Sequence, residues 1–197
     1  MLVLGHTGIT LGAAVVMASA LPNSSQTVTT ANRTPGDNAS WLTSLGSRID
    51  IRLLMIGSLL PDIFDKPIGL FLFGETFSNG RIFCHTLLFL ILITLAGVHL
   101  YRHYSKIWLL VLAFGTFTHL ICDQMWRTPQ TLFWPLYGFT FERIDSANWL
   151  WNMLHDLKTD PTVYVPELVG AAILIWFALI LLRRKRLCAF IRYGQVQ

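Results

Sequence analysis

Five long apolar stretches separated by polar connections are the feature that most constrains this chain. A helix that crosses a bilayer needs about 20 mainly apolar residues, with a range near 17–25. Several of the stretches are at or below that lower limit, so we expect some helices to be short, tilted or sheltered by others. The stretches are residues 6–21, 41–60, 83–100, 107–123 and 167–182.

The composition supports a membrane protein. Hydrophobic residues make up 53% of the chain and charged residues 13%, whereas a soluble domain carries about a quarter charged residues. We therefore predict an all-α fold, a polytopic integral membrane helical bundle of four to five membrane helices in one domain, residues 1–197. No pattern of basic and aromatic residues indicates nucleic-acid binding, so we expect no nucleic-acid partner.

The remaining segments complete this domain. Residues 22–50 are rich in Ser, Thr, Asn and Pro and predict a flexible loop or insertion. Residues 124–166 predict an aromatic-rich extracytoplasmic connection that folds over the membrane surface. Residues 67–73 are too short to cross and predict an interfacial or re-entrant turn. Residues 183–197 begin with RRKR and predict a basic cytoplasmic tail.

Orientation follows from the basic residues, because cytoplasmic loops carry an excess of Lys and Arg. If residues 183–186 are cytoplasmic, alternating helices place most of the 15 Lys and Arg residues inside. The first stretch resembles a signal peptide but lacks a basic start, so we interpret it as a retained helix; cleavage after "ASA" is the alternative.

This topology brings polar residues from four segments to one depth near the outer face. Ionisable groups within membrane segments are costly and tend to be paired or functional. The residues are His6, Asp62, Asp65, Arg81, His85, His119 and Asp123.

These side chains predict a metal site. His119 and Asp123 share a helix face at a spacing of four, and Asp62 and Asp65 are expected to act similarly after Pro61 breaks the helix. Imidazole and carboxylate together suit Zn²⁺ or a similar divalent metal. We expect one or two ions, which would lower the pKa of a bound water to about 7 and supply a hydroxide nucleophile.

Each residue also has a simpler interpretation. A histidine and an aspartate four residues apart occur often by chance, and Asp62 follows a natural helix stop, "LLP". His6 is alternatively a polar anchor at the start of a helix. Arg81 either binds a phosphate or anchors its helix at the headgroups. His155 is a weaker candidate ligand, expected to be exposed.

The motifs "GHTGITLG", "GSLLPDIFD", "RIFCHTLLF" and "GTFTHLICDQMWRTPQTLFWPLYGF" resemble, in this order, the YdjM-like family of inner-membrane, metal-dependent hydrolases. The resemblance covers most of residues 4–139, apart from 22–50. Two positions depart from the family pattern, since Gly80 stands where many members have histidine and Cys84 where threonine is usual. Arg81 and His85 are retained.

A more distant resemblance is to zinc-dependent phospholipase C, which uses an early His, a middle Asp, a His and then HxxxD. His6, Asp62, His85, His119 and Asp123 follow this order. The later HxxxE of that family has no match here. This resemblance implies phosphoester hydrolysis with one or two metal ions.

The resulting expectation is a hydrolase of a bacterial or archaeal cytoplasmic membrane, acting on a membrane lipid or lipid-linked phosphoester near the extracytoplasmic face. Asp65 or Asp62 would bridge metals or act as base, and Arg81 would stabilise charge developing on the phosphate. The alternatives are a non-catalytic protein with a structural or transport-related metal site, and an amide or ester hydrolase with the same centre.

Overall fold

The regular structure is entirely helical in the residues that the computed structural model describes, which are 2–20, 49–74, 76–77, 79–138, 141 and 148–194. No strand occurs among them, so the all-α prediction is confirmed. The helices are α1 (Val3–Ala20), α2 (Ile51–Lys66), α3 (Leu87–Tyr104), α4 (Trp108–Cys122), α5 (Pro129–Leu132), α6 (Trp149–Thr159), α7 (Pro161–Arg183) and α8 (Leu187–Tyr193). A π-helical turn, Pro67–Leu72, extends α2, and a 3₁₀ turn, Met125–Arg127, precedes α5.

Among the described residues, two helices are long and apolar enough to cross a membrane, α3 with 18 residues and α7 with 23. Helix α4, with 15 residues, falls below the usual spanning length, and the apolar helix α1, with 18, is close to its lower limit. The core between the helices is apolar and includes the fully or nearly fully buried Leu11, Leu54, Val111 and Phe177.

Glycines allow the helices to approach closely in pairs. A methyl group at Gly115 of α4 would lie 2.6 Å from the Gly57 carbonyl carbon of α2. A methyl group at Gly8 of α1 would overlap the backbone of α7 at Gly170. Close approach at small residues is how apolar helices pack when no water drives them together. These contacts pair α2 with α4 and α1 with α7.

Helix α2 differs from the predicted 41–60 stretch, and the expectation that Pro61 breaks it is wrong. Asp50 caps its start by accepting a hydrogen bond from the backbone N–H of Arg52, and the helix continues through Pro61 to Lys66. A proline lacks the N–H that would satisfy the carbonyl four residues earlier. Here the Thr116 hydroxyl of α4 donates to that carbonyl, Gly57 O, at 3.3 Å.

The long connection between α4 and α7 contains the short helix α5 and the amphipathic helix α6. It exposes large apolar side chains, among them Trp126, Leu136 and Trp151. Its folding over a membrane surface stays a prediction. The predicted loop at 22–50 lies almost wholly outside the described residues.

The two ends of the bundle have different character. At one end α8 lies against the start of α2, where Arg52 Nη1 donates to the Ile191 carbonyl at 2.8 Å and Ile51 N donates to Gly194 O at 3.1 Å. The basic run at 183–186 lies between α7 and α8 at this end. Helices α1, α3 and α7 begin at the opposite end, where α2 and α4 finish.

Candidate metal centre

The opposite end collects five of the predicted residues. His6 from α1, Asp62 from α2, His85 just before α3, and His119 and Asp123 from the end of α4 meet there. Ligand atoms of His6, Asp62 and His119 lie within 4.8 Å of one another, as do those of His85, His119 and Asp123. These groups have the geometry to bind a metal ion.

The rings of His85 and His119 direct their Nε2 atoms at each other across 3.1 Å. His119 Nδ1 lies 2.6 Å from the Ser58 carbonyl oxygen, and His85 Nδ1 lies 2.7 Å from Asp65 Oδ2. A carbonyl oxygen accepts only, so His119 carries its proton on Nδ1. The Asp65 carboxylate imposes the same tautomer on His85. Both Nε2 atoms are therefore lone-pair donors that point into one space.

Two carboxylate oxygens border the same space. Asp62 Oδ1 lies 3.6 Å from His85 Nε2 and 3.9 Å from His119 Nε2. Asp123 Oδ2 lies 3.9 Å and 4.0 Å from the same two nitrogens. Four donors that surround one ion in a tetrahedron at bond lengths of roughly 2.0–2.2 Å lie about 3.3–3.6 Å apart. Shifts of a few tenths of an ångström would thus bring the two nitrogens and either carboxylate oxygen to the spacing of ligands on one divalent cation.

His6 adds a fifth donor on the other side of Asp123. Its ring stacks on that of His119 with centroids 4.0 Å apart, and its Nε2 lies 3.1 Å from Asp123 Oδ1. Apart from this contact with Asp123, neither ring nitrogen has a hydrogen-bond partner within the described residues, although both are fully buried. Burying a polar atom without full hydrogen bonding is costly, and a metal on the imidazole would remove part of this cost. Asp123 therefore presents Oδ1 to His6 and Oδ2 to the pair of His85 and His119.

Asp65 is not part of the cluster, in contrast to its predicted role as ligand or base. Its fully buried carboxylate accepts hydrogen bonds from the backbone N–H groups of Ile82, Cys84 and His85 at 2.9–3.1 Å, besides His85 Nδ1. It faces the segment before α3 rather than the space between the imidazoles. Hydrogen bonds of this kind fix the tautomer and orientation of a metal-ligating histidine.

Two cations cover the carboxylates. Arg81 Nη2 lies 2.9 Å from Asp123 Oδ2, and Lys66 Nζ donates to Asp62 Oδ2 at 2.6 Å. The two cationic side chains are 39% and 28% exposed, against 3% and 11% for their partners. The cations therefore lie on the open side of the site.

Sequence reasoning missed Glu167 and Ser58. Glu167, buried near the start of α7, accepts hydrogen bonds from the backbone N–H groups of Leu2 and Gly5 at 2.5 and 3.0 Å. It thus caps the start of α1, and one of its donors, Gly5 N, belongs to the residue directly before His6. The signal was available, since an ionisable residue at the edge of an apolar stretch is costly unless it has a function. Nothing in the sequence marks the Ser58 carbonyl.

Other candidate residues lie elsewhere. His155 is exposed on α6, as expected. The rings of His99 and His103 pack against each other at a tilt of 44° toward the far end of α3. Burial, with the nearby Asp65 charge, raises the pKa of the Cys84 thiol to about 12, so Cys84 remains a neutral thiol beside the site.

Comparison with known proteins identifies the family of this chain. No curated protein and no solved structure matches the chain. Residues 1–192 match the family described as YdjM inner membrane protein. The match extends beyond the resembling motifs to include α7, with Glu167, and most of α8. The chain belongs to the YdjM inner membrane protein family.

Proposed function

We propose that this protein is a polytopic, metal-dependent membrane hydrolase that cleaves a phosphoester of a lipid or lipid-linked substrate. The observation that carries the proposal is the 3.1 Å approach of two Nε2 atoms whose Nδ1 atoms are already committed as donors. Two lone pairs at this distance repel each other. A proton shared between them would satisfy only these two nitrogens, whereas a metal centre would use all three imidazoles and two carboxylates as ligands.

The donor set favours Zn²⁺ or a similar divalent ion, because imidazole and carboxylate ligands suit it. Asp62, His85, His119 and Asp123 would hold one ion, and His6 with the second oxygen of Asp123 would support another. A bound ion of this kind polarises a phosphoryl oxygen and lowers the pKa of a bound water to about 7. The likeness to zinc-dependent phospholipase C, on the order of residues alone, points to the same chemistry.

The protein side chains have separate tasks in this proposal. Asp65 holds the His85 ring in place, which replaces the ligand or base role expected from the sequence. Asp62 and Asp123 would supply negatively charged ligands that offset the charge of the metal. Arg81 is placed there to neutralise charge that develops on a phosphoryl group.

A position near the extracytoplasmic face is also part of the proposal. The basic run at 183–186 and Arg52 lie at the end of the bundle opposite the site, and the end rich in Lys and Arg is normally cytoplasmic. A lipid headgroup would then meet the metal centre from the outer leaflet.

The test joins metal analysis with turnover. The purified protein in detergent is analysed for metals, and release of phosphate or a phosphorylated headgroup is measured over a panel of phospholipids and lipid-linked phosphates, with and without chelator. We expect bound divalent metal and chelator-sensitive turnover in the wild type and in His99→Gln, a control at the far end of α3. His119→Gln should lose both.

Two outcomes separate the alternatives. Metal bound by wild type but not by His119→Gln, without turnover of any substrate, would support a non-catalytic structural site, an alternative that the deep burial of the three histidines favours. Equal metal content in wild type and His119→Gln would refute the metal centre itself.

A further inference from the structure

The three carboxylates at the site outnumber the two cations. Asp62, Asp65 and Asp123 give a formal charge of −3, and Lys66 with Arg81 reduces it to −1. One divalent metal without the two cations would leave the site at −1, which repels anions. With both cations the same metal makes the site +1, so Lys66 and Arg81 decide the sign of the charge that a ligand meets.

Lys66 and Arg81 belong to one surface. A methyl group at Gly80 would lie 3.1 Å from Lys66 Cγ, so the aliphatic stem of Lys66 runs past the residue next to Arg81. The missing side chain at position 80 leaves room for this stem. The two cationic side chains therefore start from neighbouring backbone, at the end of α2 and in the segment before α3.

Hydrogen bonds hold the segment that carries Arg81. Asn79 Oδ1 accepts from Arg81 N at 2.9 Å, and Asn79 N donates to Gly69 O at 3.3 Å. Asp65 fixes the following residues through Ile82 N. An anion-binding pair that is positioned before its ligand arrives loses little entropy on binding.

We propose that Lys66 and Arg81 together form a binding site for a phosphate group, with Lys66 as the second cation of the site. The proposal rests on the proposed metal centre but not on catalysis. Each cation would exchange its carboxylate partner for a phosphate oxygen once metal occupies the carboxylates. Arg suits two phosphate oxygens at once, and Lys suits one as a compact charge.

The phosphate group is either free or part of a lipid headgroup. The turn after Lys66 favours the lipid, since Phe71, Leu72 and Phe73 are 76, 71 and 54% exposed. Exposed apolar side chains directly beside a cation match the boundary between acyl chains and headgroups. The binding chemistry is the same for both sources.

The experiment measures binding rather than turnover, so that it is independent of hydrolase activity. Full-length protein is loaded with Zn²⁺, freed of unbound metal and titrated calorimetrically with inorganic phosphate. A parallel arm measures binding of the same protein to phosphatidylcholine nanodiscs with and without phosphatidic acid. Lys66→Gln is compared with Lys66→Arg, which keeps the charge, and with Lys158→Gln, an exposed lysine on α6.

We expect Lys66→Gln to weaken phosphate binding by about 10-fold or more, as loss of a charged hydrogen bond does, with wild-type metal content. Lys66→Arg and Lys158→Gln should stay near wild type. Binding of inorganic phosphate supports a free ligand, and binding only with phosphatidic acid supports a lipid headgroup. Unchanged affinity in Lys66→Gln, loss of its metal, or no phosphate binding by metal-loaded wild type in either arm would each overturn the proposal.

Discussion

Replacing Asp65 by Asn distinguishes a positioning residue from a metal ligand. In the structure all four donors, three backbone N–H groups and His85 Nδ1–H, converge on one oxygen, Oδ2. An Asn side chain with its carbonyl oxygen at that place accepts from the same donors and keeps the His85 tautomer. Its amide nitrogen replaces Oδ1, which also accepts from Cys84 N at 3.0 Å. The change therefore removes the charge of Asp65 and this second contact of Cys84 N but keeps the four bonds at Oδ2.

The expected magnitude follows from that geometry. Hydrogen bonds to a charged group are about twice as strong as neutral ones, and neutral ones contribute about 1 kcal/mol each. Four bonds to one crowded oxygen cannot all be ideal, so we expect Asp65→Asn to lower the free energy of unfolding by about 2–3 kcal/mol. Loss of a hydrogen-bond partner behind a metal ligand lowers metal affinity about 10- to 100-fold. Because Asp65→Asn keeps the His85 tautomer, we expect its metal affinity to fall by about 10-fold.

The assay is a Zn²⁺ competition titration against a chromogenic chelator, run beside thermal unfolding of the metal-free protein. Asp62→Asn removes a carboxylate that faces both Nε2 atoms and should lose far more affinity than Asp65→Asn. Asp65→Ala should lie between the two, because all four donors lose their acceptor. Asp156→Asn, at an exposed position on α6, is the matched control. If Asp65→Asn loses metal as completely as Asp62→Asn, then Asp65 is a ligand and the positioning role is wrong.

Three further predictions concern the scaffold. Glu167→Gln removes the negative charge at the start of α1 and should lower the stability of the detergent-solubilised protein by about 1 kcal/mol; an unchanged melting temperature would contradict the capping role. Gly115→Leu should force α4 away from α2 and abolish Zn²⁺ binding, whereas Gly12→Ala, which meets only the end of a flexible side chain, should retain it. The hydrogen bond from Arg52 lowers the pKa of the Asp50 carboxyl, so the stability contributed by that charge is complete above about pH 4 and is lost as the pH falls through the lowered value. Unfolding curves of wild type and Asp50→Asn should therefore differ at neutral pH and converge in acid, and a constant difference would refute the assignment.

The apolar helices could be predicted from the sequence because apolar length is a direct signal. The stretches at 6–21 and 107–123 correspond closely to α1 and α4. Helix α3 starts four residues later than the stretch at 83–100. The Thr86 hydroxyl caps it by accepting from Phe89 N at 3.1 Å, and the preceding residues turn toward Asp65. The sequence alone does not reveal this cap, because the apolar residues before Thr86 look like part of the helix. Only the structure shows that they turn toward Asp65.

The sequence predicted which residues meet at the site but not the role of each residue. His6, Asp62, His85, His119 and Asp123 come together because alternating helices return polar termini to one end. Spacing alone made Asp62 and Asp65 equivalent, since residues three apart share one helix face. Which of them meets the histidines and which meets the backbone before α3 depends on the rotation of α2, and that rotation is set by packing.

Pro61 links the packing of α2 to the orientation of a ligand. Its missing N–H leaves the Gly57 carbonyl without a partner within the helix, and in an apolar environment a neighbouring helix must supply one. Helix α4 does so through Thr116, and one turn later His119 Nδ1–H donates to the next carbonyl, that of Ser58. The close approach at Gly115 makes both contacts possible. The contacts that satisfy an interrupted helix therefore also select the His119 tautomer whose Nε2 faces the metal centre, so that the proline helps to build the site instead of ending the helix before it.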